Sequence, residues 1–189
     1  MTMNTLVILD WMWAALGAYW LFSAWRAEKS VTHEASFWRV GRLAILAATF
    51  ILLLSRWTGM GPLAWRVVPD WPLAHGLGIA LTAAGILLCV WARVHLGKFW
   101  SDKIVLKADH QLIRSGPYSR LRHPIYSGML LGIAGTTIAL GELRGAVAFA
   151  LLGTSYFIKA VQEERLLAAQ FGEEFRTYRR QTGFVVPRW

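Results

Sequence analysis

Pro72-Leu-Ala-His-Gly-Leu-Gly-Ile-Ala-Leu-Thr-Ala-Ala-Gly-Ile-Leu-Leu-Cys-Val-Trp-Ala92 contains no Asp, Glu, Lys or Arg. At about 1.5 Å per residue an apolar helix of this length crosses a hydrocarbon core of roughly 30 Å. Thr5–Trp25 has the same length and character, and three shorter apolar runs follow the same pattern: Val40–Ser55, Tyr126–Leu140 and Leu143–Ala160. The shorter runs need flanking residues, with Arg39 and Arg42 snorkelling at the end of the second. Alternatively, the last two form a tight hairpin about Gly141-Glu142 that barely spans. The expected fold is an all-α integral membrane protein of about five transmembrane helices.

Composition agrees. The 189 residues are 56% hydrophobic and only 16% charged, against about a quarter charged in ordinary soluble domains. Several of the eleven Trp stand at the edges of apolar runs, namely Trp25, Trp38, Trp57, Trp71 and Trp91, as in an aromatic belt at the headgroup level. The formal charge of +9 raises nucleic-acid binding as a question. Its basic residues lie in the connections between apolar runs, which is a membrane-topology pattern, so no nucleic-acid partner is expected. Seventeen of the twenty Lys and Arg fall in the first loop, third loop and tail. The positive-inside rule therefore puts the N-terminus outside, and the loop and tail in the cytoplasm. The lone Cys89 excludes an internal disulfide, and the five His show no ligand spacing, so no metal is expected.

Two regions follow: 1–94 with three plain helices, and 95–189, dense in motifs. In the second, Ile104–Leu106 and Leu112-Ile113 flank Ala108-Asp109-His110 as a small hairpin or turn. Pro124 suits the first turn of a helix, which sets Arg122 and His123 just before a helix N-terminus whose exposed N–H groups favour an anion. Glu163 and Glu164 stand where the fifth segment meets the interface. One helical step is about 100°, so the two acids cannot point the same way. Phe171, Phe175 and Tyr178 then mark an amphipathic C-terminal helix, broken at Gly172, that lies on the membrane or folds back on the site. Taken singly, the tail arginines read as headgroup anchors and the acidic pair as a solvated helix end. Gly76-x-Gly78 reads as close helix packing.

In order, Gly116-Pro117-Tyr118, Arg122-His123-Pro124-Ile125-Tyr126-Ser127-Gly128, Glu163-Glu164-Arg165-Leu166-Leu167, Phe171-Gly172, Tyr178 and Phe184-Val185-Val186-Pro187 resemble the isoprenylcysteine carboxyl methyltransferase family and its prokaryotic members. The likeness runs from about Ala84 to Trp189, and the first two spans carry none of it. It implies S-adenosyl-L-methionine as cofactor, bound from the cytoplasmic side of a prokaryotic inner membrane. The implied lining is Tyr118, Arg122, His123, Pro124, Tyr126, Gly128, Glu163, Glu164 and Tyr178. The catalytic roles fall to Arg122, Glu164 and Arg179, with Arg122 or Arg179 orienting an acceptor carboxylate. The implied acceptor is a lipophilic, isoprenoid-like small molecule or lipid taken from among the membrane lipids, with carboxylate O-methylation preferred. Alternatives are a phospholipid or small-amine N-methyltransferase, an NADPH-dependent sterol-reductase-like enzyme, and a non-catalytic membrane scaffold.

Overall fold

The computed structural model describes residues 3–25, 36–56, 61–97 and 112–188. Five helices follow one another: α1 Met3–Trp25, α2 Ser36–Leu54, α3 Pro72–Leu96, α4 Pro124–Leu140 and α5 Leu143–Gln181. Short 3-10 turns stand at Gly61–Ala64 and Gly116–Ser119. The hairpin expected at 104–113 lies mostly outside the described residues. α1, α2, α3 and α5 are long and apolar enough to cross a membrane, whereas α4 is a shorter apolar helix of 17 residues. As expected, α2 recruits its flank, beginning at Ser36 and taking in Arg39 and Arg42.

The sequence ends its helices in recognisable ways. Pro72 and Pro124 occupy the first turns of α3 and α4, where a missing N–H leaves no bond unmade. Gly141, at φ 72°, closes α4 by donating its N–H to Thr137 O at 2.8 Å, and a residue with a Cβ resists that backbone. α5 is broken at Gly172, where φ 50° and ψ −119° are not helical. The amphipathic C-terminal helix is the part beyond that break. The part before it, about 43 Å long, is enough to cross a bilayer core, and the part beyond folds back over the bundle.

Glycine seams α3 against α4. A Cβ on Gly85 would lie 2.4 Å from Gly128 O and Gly132 N, and one on Gly78 2.6 Å from Gly135 O. Backbone contact this close is the small-residue packing of membrane helices, where lipid offers no hydrophobic drive to associate. Gly76 has nothing within 4 Å, so only Gly78 of the Gly76-x-Gly78 pair packs. Buried hydroxyls cross the seam: Thr82 Oγ1 lies 3.1 Å from Gly132 O and 3.2 Å from Thr136 Oγ1, which accepts from Trp13 Nε1 at 3.0 Å. Cys89 is buried in the same seam.

Two buried arginines pin the ends of the bundle. Arg144 at the start of α5 pairs with Glu142 at 2.7 Å and donates to Ser55 O and Leu52 O of the α2 end. Arg93 at the other end donates to Ser23 O of α1 at 2.8 Å. α1 packs on α3 and α4, and α2 on α5 and α4. This leaves a cleft between α1 and α2 that runs down to the start of α4.

Candidate functional site

The start of α4 and the exit of α5 carry a charged cluster. Arg122 Nε donates to Glu164 Oε1 at 2.5 Å, and both side chains are about nine-tenths buried. The Arg122 Nη1 atom donates to Arg179 O at 3.1 Å and to Thr182 O. His123 stands between the two acids, with Nδ1 3.6 Å from Glu163 Oε2 and Nε2 3.4 Å from Glu164 Oε1. These are ion-pair distances, and Nε2 is buried without hydrogen-bond geometry to any partner. Tyr126 donates its hydroxyl to Glu163 Oε1 at 2.7 Å, and its ring stacks on His123 and on Tyr156.

The C-terminal segment closes this cluster. Arg122 N donates to Gly183 O at 2.9 Å and His123 N to Phe184 O at 3.2 Å. Phe184 packs edge-on against His123 and beneath the Arg122 guanidinium. Tyr178 reaches Tyr118 O at 2.7 Å from the bent end of α5. The backbone N–H groups of Arg122 and His123, just ahead of α4, are therefore taken by tail carbonyls. The negative charge favoured at this helix N-terminus is supplied from inside the protein by Glu163 and Glu164.

Electrostatics favour a charged imidazole here. Burial pulls the His123 pKa down, but the carboxylates of Glu163 and Glu164 outweigh it, and the net shift is above the ordinary histidine value.

A cavity of about 720 Å³ opens from the cluster into the cleft between α1 and α2. Six residues singled out in the sequence line it: Tyr118, Arg122, His123, Tyr126, Glu163 and Tyr178. Four are placed elsewhere. Glu164 sits behind the wall in its pairs with Arg122 and His123, and Arg179 is 64% exposed, its Nε 3.6 Å from Glu164. Pro124 is buried in the first turn of α4. Gly128 faces α3, where a Cβ would meet Gly85 O at 2.6 Å and Cys89 Sγ at 2.7 Å, so packing accounts for that glycine. The two acids are split as the helical step requires, Glu163 towards the cavity and Glu164 towards an arginine.

Sequence reasoning missed the other half of the cavity. Trp13, Gly17 and Trp20 of α1 and Leu43, Leu46 and Phe50 of α2 line its apolar arm. Their spacings of three and four were a legible single-face signal, hidden because lipid-facing positions in a span are equally apolar. Lys159, which also lines the cavity, was counted only as a tail charge. Among the described residues no group of three or more His, Cys, Asp or Glu could hold a metal.

The fold and cluster define an integral membrane protein with a charged chamber at one end of a helical bundle, open to an apolar cleft. Residues 78–169 match the model of the isoprenylcysteine carboxyl methyltransferase (ICMT) family, to which the chain is similar. It is 30% identical over 175 residues to a methanethiol S-methyltransferase of Pseudomonas sp. (strain GM41(2012)), covering 87% of this chain and 64% of that protein. It is 26% identical over 186 residues to a probable protein-S-isoprenylcysteine O-methyltransferase of Oryza sativa subsp. indica, covering 94% and 95% respectively. The chain thus spans slightly under two thirds of the first relative and nearly all of the second. A solved structure of the eukaryotic intramembrane Ras methyltransferase ICMT aligns with a TM-score of 0.44 at 20% identity, over 83% of this chain and 54% of that one.

Proposed function

We propose that the chain is a membrane methyltransferase that uses S-adenosylmethionine to methylate an anionic, lipophilic acceptor, with carboxylate O-methylation preferred. The observation that carries this reading is the junction of two unlike spaces in one cavity. A chamber bounded by Arg122, His123, Tyr126 and Glu163 opens directly into an apolar arm between α1 and α2. Relatives named for S-isoprenylcysteine and methanethiol substrates support a methyl acceptor that is oxygen or sulfur.

The residues present fit the cofactor. Glu163 lines the cavity and offers a carboxylate to a cationic ligand. His123, held between Glu163 and Glu164, lines the same cavity. Tyr118 and Tyr178 line it too and offer aromatic surface to a nucleobase or sugar. When bound, S-adenosylmethionine supplies a methyl group on a positively charged sulfur, which keeps the electron pair of the breaking bond as the acceptor forms the new one. An acceptor that arrives ionised needs no general base. What the protein contributes is alignment and the exclusion of water from a charged pair. Arg122 and Glu164 brace the tail over the chamber, and the bundle keeps the apolar arm dry.

The basic loop count supports a topology of five spans with the N-terminus outside and the chamber at the cytoplasmic face of a prokaryotic inner membrane. It also supports a division into an acceptor-guiding part, 1–94, and a cofactor-binding part, 95–189. An amine acceptor would have to lose a proton before attack, and an anion fits the cavity's charge better.

Thermal unfolding of the detergent-solubilised protein tests the cofactor reading. Saturating S-adenosylhomocysteine at about 100 times its dissociation constant stabilises by about 2.7 kcal/mol, while NADPH gives no shift. A shift with NADPH alone would move the chain to reductase chemistry, and no shift with S-adenosylhomocysteine would remove the methyltransferase reading.

A further inference from the structure

Lys159 is one helical turn from Glu163 on α5, on the side facing the apolar arm. Before the Gly172 bend the cavity-lining residues of α5 form a single stripe, Leu152, Ser155, Tyr156, Lys159, Glu163, Leu166 and Leu167. Lys159 is the first charged residue met on that stripe from the apolar end. Its side chain is only 12% exposed, with Nζ 3.8 Å from Glu163 Oε1 and 5.6 Å from the centre of the Tyr126 ring. An ammonium at this depth is costly to hold, and ionisable residues kept in such places mark ligand paths.

Resting on the methyltransferase reading, we propose that Lys159 receives the acceptor's anionic head and selects an ionised acceptor over a neutral one. Three observations converge. The first is position: Lys159 stands where the apolar arm meets the charged chamber, so an acceptor whose tail fills the arm presents its head there. The second is the commitment of the arginines. Arg122 is engaged with Glu164, Arg179 O and Thr182 O, and Arg179 lies largely in solvent, which leaves neither well placed to clamp an acceptor.

The third is charge. Arg122, Arg179 and Lys159 pair with Glu163 and Glu164 in the cluster, and Arg39, Arg42 and Asp10 line the same cavity, so basic groups outnumber acidic ones before His123 is counted. S-adenosylmethionine carries a sulfonium, an ammonium and a carboxylate and adds one net positive charge. An anionic acceptor offsets that excess, whereas a protonated amine would add to it. Glu163 holds the Lys159 ammonium, accepts from Tyr126 and faces His123 Nδ1, so Glu163 keeps two other partners when an incoming carboxylate takes up the ammonium.

The test uses the full-length protein in nanodiscs, saturated with S-adenosylhomocysteine, and two probes: N-acetyl-S-farnesylcysteine and its uncharged carboxamide. Wild type binds the acid at least about tenfold more tightly than the amide, the worth of one charge-assisted hydrogen bond. Lys159→Gln brings that ratio below about threefold with amide affinity held within about twofold, and Lys159→Arg restores most of it. The role is overturned if Lys159→Gln keeps the tenfold preference, or if wild type shows none. The S-adenosylhomocysteine shift measured in the same samples reports separately on the cofactor reading. Should Lys159→Gln fail to fold, Lys159→Arg keeps the question open to refutation: the same preference must survive there, and its loss while the S-adenosylhomocysteine shift stays intact would count against selection by charge.

Discussion

Replacing Gly85 by alanine gives a sharp test of the glycine seam that positions the site. The new Cβ would lie 2.4 Å from both Gly128 O and Gly132 N and 2.8 Å from Gly132 Cα. Every one of these is a backbone atom, so no side-chain rotation relieves the clash. Reaching 3.4 Å, where ordinary contact begins, requires α3 and α4 to part by about 1 Å. Overpacking of this kind costs about 1–3 kcal/mol. The parting also stretches the Thr82 contacts to Gly132 and Thr136, worth about 0.6 kcal/mol each. Alanine returns up to about 1 kcal/mol in helix propensity, so the net expected loss is roughly 1–3 kcal/mol. Gly76→Ala is the control on the same helix, because nothing lies within 4 Å of its Cβ; it should be neutral or slightly stabilising. Thermal unfolding in one detergent decides between them. Equal midpoints for Gly85→Ala and Gly76→Ala would refute the seam. Because His123 and Tyr126 sit at the start of α4, Gly85→Ala should also weaken S-adenosylhomocysteine binding, while Gly76→Ala leaves it intact.

Other outcomes follow from the charged groups. Glu164→Gln leaves the nine-tenths buried Arg122 without its carboxylate and should cost about 3 kcal/mol, with the 182–188 segment becoming an early site of limited proteolysis; an unchanged cleavage pattern would mean the tail is held by other contacts. His123 has a folded-state pKa raised by Glu163 and Glu164 against its burial, so its stabilisation is complete below the unfolded value of about 6.5 and is lost as pH rises through the folded value. The unfolding midpoint of wild type should therefore fall relative to His123→Gln as pH rises above about 6.5, and parallel profiles would contradict this. Arg144→Gln removes the pair with Glu142 and the bond to Ser55 O at the opposite end. It should cost about 1–3 kcal/mol with little change in S-adenosylhomocysteine affinity, measured by calorimetry.

Much of the fold was legible because lipid imposes one rule, that an apolar run must satisfy its own backbone. That rule places α1 and α3 to within a few residues, and Pro124, Gly141 and Gly172 mark a start, an end and a bend. What composition could not show is how the helices face one another. Trp13 is buried beside Thr136, whereas Trp11 is 73% exposed, and nothing in the local pattern separates them. The charged cluster was legible as residue types, since Arg122, His123, Glu163 and Glu164 do meet. Their roles were not. Whether an arginine faces a ligand or braces a tail depends on where Gly183 and Phe184 return, a contact some sixty residues distant in sequence. Gly128 illustrates the same limit, because the motif carries it while packing against Gly85 and Cys89 explains it.

The central claim is that the chamber and the apolar arm work together in methyl transfer. The most direct measurement is transfer of a labelled methyl group from S-adenosylmethionine to N-acetyl-S-farnesylcysteine by the purified protein in proteoliposomes, with Glu163→Gln alongside. Saturable, time-dependent formation of the methyl ester by wild type, reduced at least about tenfold in Glu163→Gln, is the predicted result. Binding of S-adenosylmethionine with no transfer to this acid, but ready transfer to a phospholipid amine, would contradict the account.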